Sequence, residues 1–305
     1  MHLPFNNSFD SSASQIDAAI KCGPLNFRIS CFDKAFSRQV EALYRSFPKS
    51  KNEEFIDFHV SIRPANTLFR RHVAKQANFF LDNHQPFKPL PHNQGYAMLE
   101  WGMNWCIATH CHQYLIIHAA VISKDGVTVM LPAPPGSGKS TLTALLTYSG
   151  WRLLSDELAL IRLSDLKIDA LARPINLKNQ SIDIIKRTFP HVVHSDIVKD
   201  THKGTVCLFE PPEESVRRAN EPATLTHVIF PRYNAESTIT YTELSRDQLF
   251  FSLIENSFNY NIQGERGFNT LVDITQQVDA ANFTYSDNDC AIEFFNQLVN
   301  DYDAS

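Results

Sequence analysis

Between residues 133 and 141 the chain reads Ala-Pro-Pro-Gly-Ser-Gly-Lys-Ser-Thr: a small residue, four more positions, then Gly-Lys-Ser. A loop that closes around a polyphosphate needs this composition, because consecutive backbone N–H groups must turn toward the anion. Gly136 and Gly138 have the conformational freedom to allow it. Lys139 reaches the β- and γ-phosphates, and Ser140 offers a hydroxyl to Mg²⁺. A helix from Thr141 presents its positive end to the same charge. Ala133, Pro134, Pro135 and Ser137 complete the cradle, with Ala133 standing where glycine is usual. Sixteen residues after Ser140 come two adjacent acids, Asp156 and Glu157, closing the run Trp151–Ser155. One carboxylate can hold Mg²⁺ with Ser140 while the other takes the proton of an attacking hydroxyl. A solvated strand exit accounts for two such acids equally well, and a Gly-Ser-Pro turn can arise by chance.

The elements that must position these groups favour the chemical reading. Val127–Leu131 is an apolar run of strand type, and Thr141–Ser149 suits a helix ending at Gly150. In an α/β sheet, acids at the carboxyl end of a neighbouring strand face the crevice beside such a loop. Upstream, Leu25–Cys31 predicts a strand, Asp33–Ser46 an amphipathic helix, and Glu54–Ile62 and Gln76–Asp82 further strands. The prolines Pro86, Pro89 and Pro91 mark a boundary. A helix over Gly95–His112 would then pack beneath the second domain. The expected organisation is a small α+β region over 1–95, then an α/β region over 96–305 that holds the chemistry.

Composition excludes several classes. The chain has 305 residues, 43% of them hydrophobic, long enough for a substantial core. A net charge of −5 does not suit a nucleic-acid binder that works by neutralising phosphates. Apolar runs such as Tyr114–Ile122 are about half the length of a membrane span. Met1–Asp10 has no basic stretch followed by an apolar core, so no leader is expected. Six scattered cysteines without a Cys-x-x-Cys pair fit a reduced, cytoplasmic setting.

Taken together, Ala133–Ile161 resembles the catalytic core of HPr kinase/phosphorylase, in which a glycine-rich loop and helix lead to an Arg-Leu-x-x-Asp-Asp element. Here Ser149-Gly150-Trp151-Arg152-Leu153-Leu154-Ser155-Asp156-Glu157 stands in that place. Ile117-His118-Ala119 resembles the histidine element on the preceding strand. Arg173–Ser181 and His202–Val206 are similar to a subgroup, the HPr-kinase-related proteins of family A. The resemblance implies a nucleotide-binding fold of the HPr-kinase/PEP-carboxykinase type, with ATP and Mg²⁺ as cofactors. It implies Asp156 as the base and His118 as its tuner. Glu157 takes the metal-linked position with Ser140, although the parent family has Asp there. Lys203 and Gly204 fall where that family has a phosphate-contacting loop, and Arg173 and Lys178 are candidates for clamping phosphate or acceptor, or are surface charges. A peptide or protein acceptor is implied, together with a PqqD-like peptide-recognition partner and homo-oligomers. The parent family's phosphorylase activity is not carried over.

On this reading the chain is an ATP-dependent kinase acting on a hydroxyl, that of serine in a peptide or protein. A binding or assembly ATPase and a small-molecule kinase remain open. Three weaker signals stand apart. Leu244-Ser245-Arg246-Asp247-Gln248 echoes a transporter-ATPase signature, but Arg and Asp replace the glycines it needs, so Ser245 is better read as the cap of a helix over Arg246–Glu255. Cys106, His110, Cys111 and His112 lack the second pair a zinc site requires. Arg266, between Gly264 and Gly267, sits in a substrate loop or in a plain turn.

Overall fold

Alternation shapes the first sheet. Leu25, Phe27, Ile29 and Cys31 are buried and the residues between them are not, the period-two signature of a strand covered on one face. The structure is a computed structural model that describes residues 16–49, 54–65, 73 and 75–303; Met1–Asp10 lie outside the described residues. It opens with β1 (Ile16–Cys22), β2 (Leu25–Cys31), α1 (Lys34–Leu43), β3 (Phe58–Pro64), β4 (Gln76–Leu81) and β5 (Leu90–Pro91). These strands form a sheet in chain order, with only β2 and β3 parallel. α1 starts on Asp33, whose carboxylate accepts the N–H groups of Ala35 (2.8 Å) and Phe36 (3.4 Å). β3 begins later than the expected Glu54 because Asp57 is diverted: its carboxylate takes the Asn26 N–H at 2.7 Å.

Then comes α2 (Gly95–His110), apolar along most of its length. It packs on β3 and β4 as well as on the larger region after it, a double role that the residue pattern alone does not predict. Gly102 lets it do so, since a Cβ there would lie 2.3 Å from the Phe79 ring. One buried cluster runs from Phe27 and Phe79 through Leu99, Met103 and Ile107 of α2 to Ile116, Leu160 and Leu208. Residue 95, the expected boundary, therefore opens a helix that belongs to this shared core.

The remaining elements are β6 (Tyr114–Lys124), β7 (Val127–Pro132), α3 (Lys139–Tyr148), β8 (Arg152–Ser155), β9 (Leu158–Arg162), β10 (Ile168–Asp169), β11 (Ile175–Lys178) and α4 (Gln180–Thr188). After them come β12 (Val198–Thr201), β13 (Gly204–Phe209), α5 (Glu213–Arg217), β14 (His227–Tyr233), β15 (Thr240–Glu243), α6 (Arg246–Glu255), α7 (Tyr260–Gln263), α8 (Glu265–Gln277), β16 (Asp279–Tyr285) and α9 (Asn288–Asp303). The protein is thus of mixed α/β class. Its largest sheet runs β10-β9-β6-β7-β14-β16-β15, with β8 also on β6, and β11-β13-β12 form a third sheet. α6 starts where expected, with the Ser245 N–H donating to Gln248 Oε1 at 3.0 Å.

β6 organises the large sheet. Its run is buried almost throughout because both faces are covered. Ala120 and Ile122 enter a cluster with Leu142, Leu146, Trp151 and Phe295, while Ile117, Ala119 and Val121 enter one with Leu249, Leu253 and Leu271. β7 is antiparallel to β6 on one side, and β8 and β9 are antiparallel to it on the other. β7 and β8 therefore run in the same direction, as do β14 and β16, which are parallel to β7. The carboxyl ends of all four open at one sheet edge. At the other end of the β6–β7 hairpin, Asp125 and Gly126 make the turn with positive φ (44° and 84°) and are exposed.

Candidate functional site

The loop from Ala133 to Gly138 leaves the end of β7 and enters α3 at Lys139. Gly136 and Gly138 both sit at positive φ, 87° and 90°, where L side chains are strained. At Gly138 a Cβ would also come within 2.8 Å of Tyr233 Cβ and 3.0 Å of the Tyr285 hydroxyl. At Gly136 nothing among the described residues lies within 4 Å of such a Cβ, and it is the backbone geometry that demands glycine. The Tyr233 N–H donates to Ser137 O at 2.8 Å, which ties the loop to the end of β14. Lys139 Nζ is buried and makes no hydrogen bond among the described residues. Burial pushes its pKa below the ordinary lysine value, against the pull of Glu157 and Asp156.

The acids follow β8 directly, as expected: the strand ends at Ser155, and after the bend at Asp156 and Glu157 β9 continues the arm beside β6, with Ser155 opposite Val121 and Leu158 opposite His118. Ser155 Oγ accepts the N–H groups of Glu157 (3.3 Å) and Leu158 (3.0 Å) and bends the arm there. Asp156 Oδ2 accepts the Asn176 N–H of β11 at 3.1 Å. Burial raises its carboxyl to about 6, helped by the Glu157 charge and opposed by the Asn176 bond. Burial also pushes Glu157 upward, but Lys203, Lys139 and His118 outweigh it and hold that carboxyl below its ordinary value. One residue from Glu157 across the arm, His118 has its pKa brought down to about 4 by burial and then by the Lys139 charge. Its imidazole is neutral at neutral pH, and the Phe258 ring lies 5.7 Å away.

One cavity of about 920 Å³ gathers most of the expected residues: the whole loop from Ala133 to Thr141, His118, Asp156, Glu157, Lys178 and Lys203. Lys203 Nζ stands 5.0 Å above the Trp101 ring of α2, a cation–π contact that steadies it. Three expected residues are not on its lining. Arg173 is buried beneath α2, 2.5 Å from Glu100, so its charge is spent inside the protein. Gly204 is a turn residue at φ 86°, where a Cβ would sit 2.6 Å from Asn179 Oδ1. Arg266 is exposed in the first turn of α8, since the expected loop over 256–268 is largely taken up by α7 and α8. Cys106 and Cys111 are core residues whose thiols burial pushes up to about 12.

Some residues of the site escape sequence reasoning. Tyr233 and Tyr285 line the cavity from the ends of β14 and β16, with their rings 5.6 Å apart. They become visible only once the parallel order β7-β14-β16 is known. Asn176 and Asn104 bind the two acids from β11 and α2. Asn104 does leave a trace: with Glu100 it forms a polar pair at helical spacing in an otherwise apolar helix.

Chemically, an unpaired ammonium and loop amides suit an anion, and the Ser140 and Glu157 oxygens suit a hard cation. Among the described residues no group of three or more His, Cys, Asp or Glu is placed to hold a metal. A cation here would complete its shell with ligand oxygens and water, the habit of Mg²⁺. No protein-family model matches this chain, and no curated protein matches it either. Among the described residues no helix is long and apolar enough to cross a membrane.

Proposed function

We propose that the chain is an ATP-dependent phosphotransferase of the HPr-kinase-like P-loop type, which passes the γ-phosphoryl group to a hydroxyl, serine by preference, of a peptide or protein. The Lys139 ammonium carries this reading: buried, without a hydrogen-bond partner among the described residues, between a loop with two left-handed glycines and a carboxylate pair in the same cavity. An unpaired buried charge costs the fold several kcal/mol, and a bound polyphosphate is the partner that this loop geometry suits.

In this reading Lys139 and the loop amides neutralise the β- and γ-phosphates. Ser140 and Glu157 would hold Mg²⁺, which when bound would draw charge from those phosphates. Asp156, raised to about 6, is ionised at neutral pH yet more basic than an ordinary aspartate. It takes the proton of the acceptor hydroxyl as that oxygen closes on the γ-phosphorus. Neutral His118 sits beside the acids without adding to the positive charge of the three lysines. Lys178 and Lys203 supply positive charge on the cavity wall, where negative charge spreads in the transition state.

Resemblance to the family A proteins supports a peptide or protein acceptor and a PqqD-like partner, and resemblance to the parent family supports a homo-oligomer. The test is to incubate the protein with γ-labelled ATP and fractions of a cell lysate. Label in a protein or peptide band is the expected result. Label only in a small solute would replace the acceptor, and nucleotide binding without any transfer would leave a binding or assembly ATPase.

A further inference from the structure

The residue pattern offers Arg173 as a clamp for phosphate or acceptor or as a surface charge; the structure puts it at the middle of a buried polar chain that ends on Glu157. Arg173 Nη2 donates to Glu100 Oε2 at 2.5 Å, and Nη1 donates to Asn104 Oδ1 at 2.6 Å. The Tyr44 hydroxyl, just past α1, closes the far end on Glu100 Oε1 at 2.8 Å. The side chains of Arg173 and Glu100 are 3% and 4% exposed. At the near end, Asn104 Nδ2 donates to Glu157 Oε2 at 2.6 Å.

A carboxamide has one donating end and one accepting end. Reversed, Asn104 would set its N–H groups against the Arg173 guanidinium and its oxygen against the Glu157 carboxylate, and both bonds would be lost. Arginine stays protonated, so the interior ion pair decides which end of Asn104 faces Glu157. Glu157 has a competing attraction: Lys203, Lys139 and Lys178 all act on its charge. A carboxylate free to turn would settle against those amines.

We propose that Asn104 is a positioning residue: locked by the Glu100–Arg173 pair, it fixes one oxygen of Glu157 and reserves the other for the divalent cation that accompanies the nucleotide. The proposal rests on the reading of Glu157 as a metal-holding residue. It makes Tyr44 and Glu100, remote from the reaction, part of the support of the site. Groups that orient a metal ligand in this way are worth roughly 10–100-fold in metal affinity.

The probes are Mn²⁺ and a non-hydrolysable ATP analogue, with binding measured by calorimetry on the full chain. Wild type, Asn104→Ala, Glu157→Gln and the double variant are compared with and without Mn²⁺, and each variant's melting temperature is recorded. Mn²⁺ is expected to tighten analogue binding to wild type, and Asn104→Ala to reduce that tightening about tenfold while metal-free binding stays the same. In the Glu157→Gln background Asn104→Ala should change nothing further. An equal loss in both backgrounds, or no loss in wild type, overturns the proposal and leaves the functional reading intact. Analogue binding that ignores Mn²⁺ in wild type overturns the metal role of Glu157 and this proposal together; no analogue binding at all overturns the functional reading itself. Should Asn104→Ala fail to fold, Asn104→Ser carries the same cycle.

Discussion

At Asp156, burial and the neighbouring Glu157 charge raise the carboxyl to about 6, so the base form prevails at neutral pH and disappears as pH falls through that value. The rate of phosphoryl transfer, followed by kcat/KM, should therefore show an acid limb near pH 6. Asp156→Asn should keep nucleotide binding and lose transfer by about 10²–10⁴-fold, whereas Lys139→Ala should lose the binding itself; retained turnover in Asp156→Asn would remove the base assignment. Stability should move the other way. A carboxyl whose pKa is raised above its ordinary 3.8 burdens the fold above about pH 6, and the burden lifts as pH falls toward 4. Asp156→Asn should thus stabilise the protein at pH 8 by on the order of 1–3 kcal/mol and hardly at all at pH 4, as denaturant titration at the two pH values would show. The loop and the acids were legible in the sequence because their chemistry depends on residue type and short spacing. Arg173 was not: its partners Glu100 and Asn104 stand 73 and 69 positions away, and nothing local says whether an arginine faces a ligand or an interior carboxylate.

The two loop glycines look alike in sequence and differ in what surrounds them. Gly136→Ala meets only the cost of a left-handed backbone, about 1–2 kcal/mol. Gly138→Ala adds a collision with Tyr233 and the Tyr285 hydroxyl, so it should displace the loop from β14. Analogue affinity should fall modestly in Gly136→Ala and at least tenfold more in Gly138→Ala; equal losses would mean that the tyrosines yield freely. Strand–loop–helix order was readable here from the apolar run Val127–Leu131 and the glycine stop at Gly150. The return of β9 to the same partner strand was not, because nothing local to Asp156 and Glu157 says that the chain pairs with β6 again beyond them. Other boundaries shifted for similar local reasons, as at Asp57, where a side chain competes for a backbone N–H.

Across the molecule, one apolar cluster passes from the first sheet through α2 to β6, β9 and β13. Phe79, fully buried in β4 against Gly102, lies far along the chain from the acids. Phe79→Ala should cost about 3–5 kcal/mol and lower a single melting transition shared by the whole chain. Two separated transitions, with nucleotide protecting only the second, would show instead that the two regions melt independently. The proline stretch at Pro86–Pro91 suggested a division because prolines interrupt regular structure, but a break in secondary structure is not a break in packing, and only the placement of α2 distinguishes the two.

The exposed turn at Asp125 and Gly126 lies one strand away from the cradle, and six residues of β7 span about 20 Å. Its positive-φ geometry belongs to the hairpin and not to the cavity. A fluorophore or an affinity handle attached there would anchor the protein to a surface with the cavity pointing outward, which leaves it free to take up ligands while capture proceeds from behind.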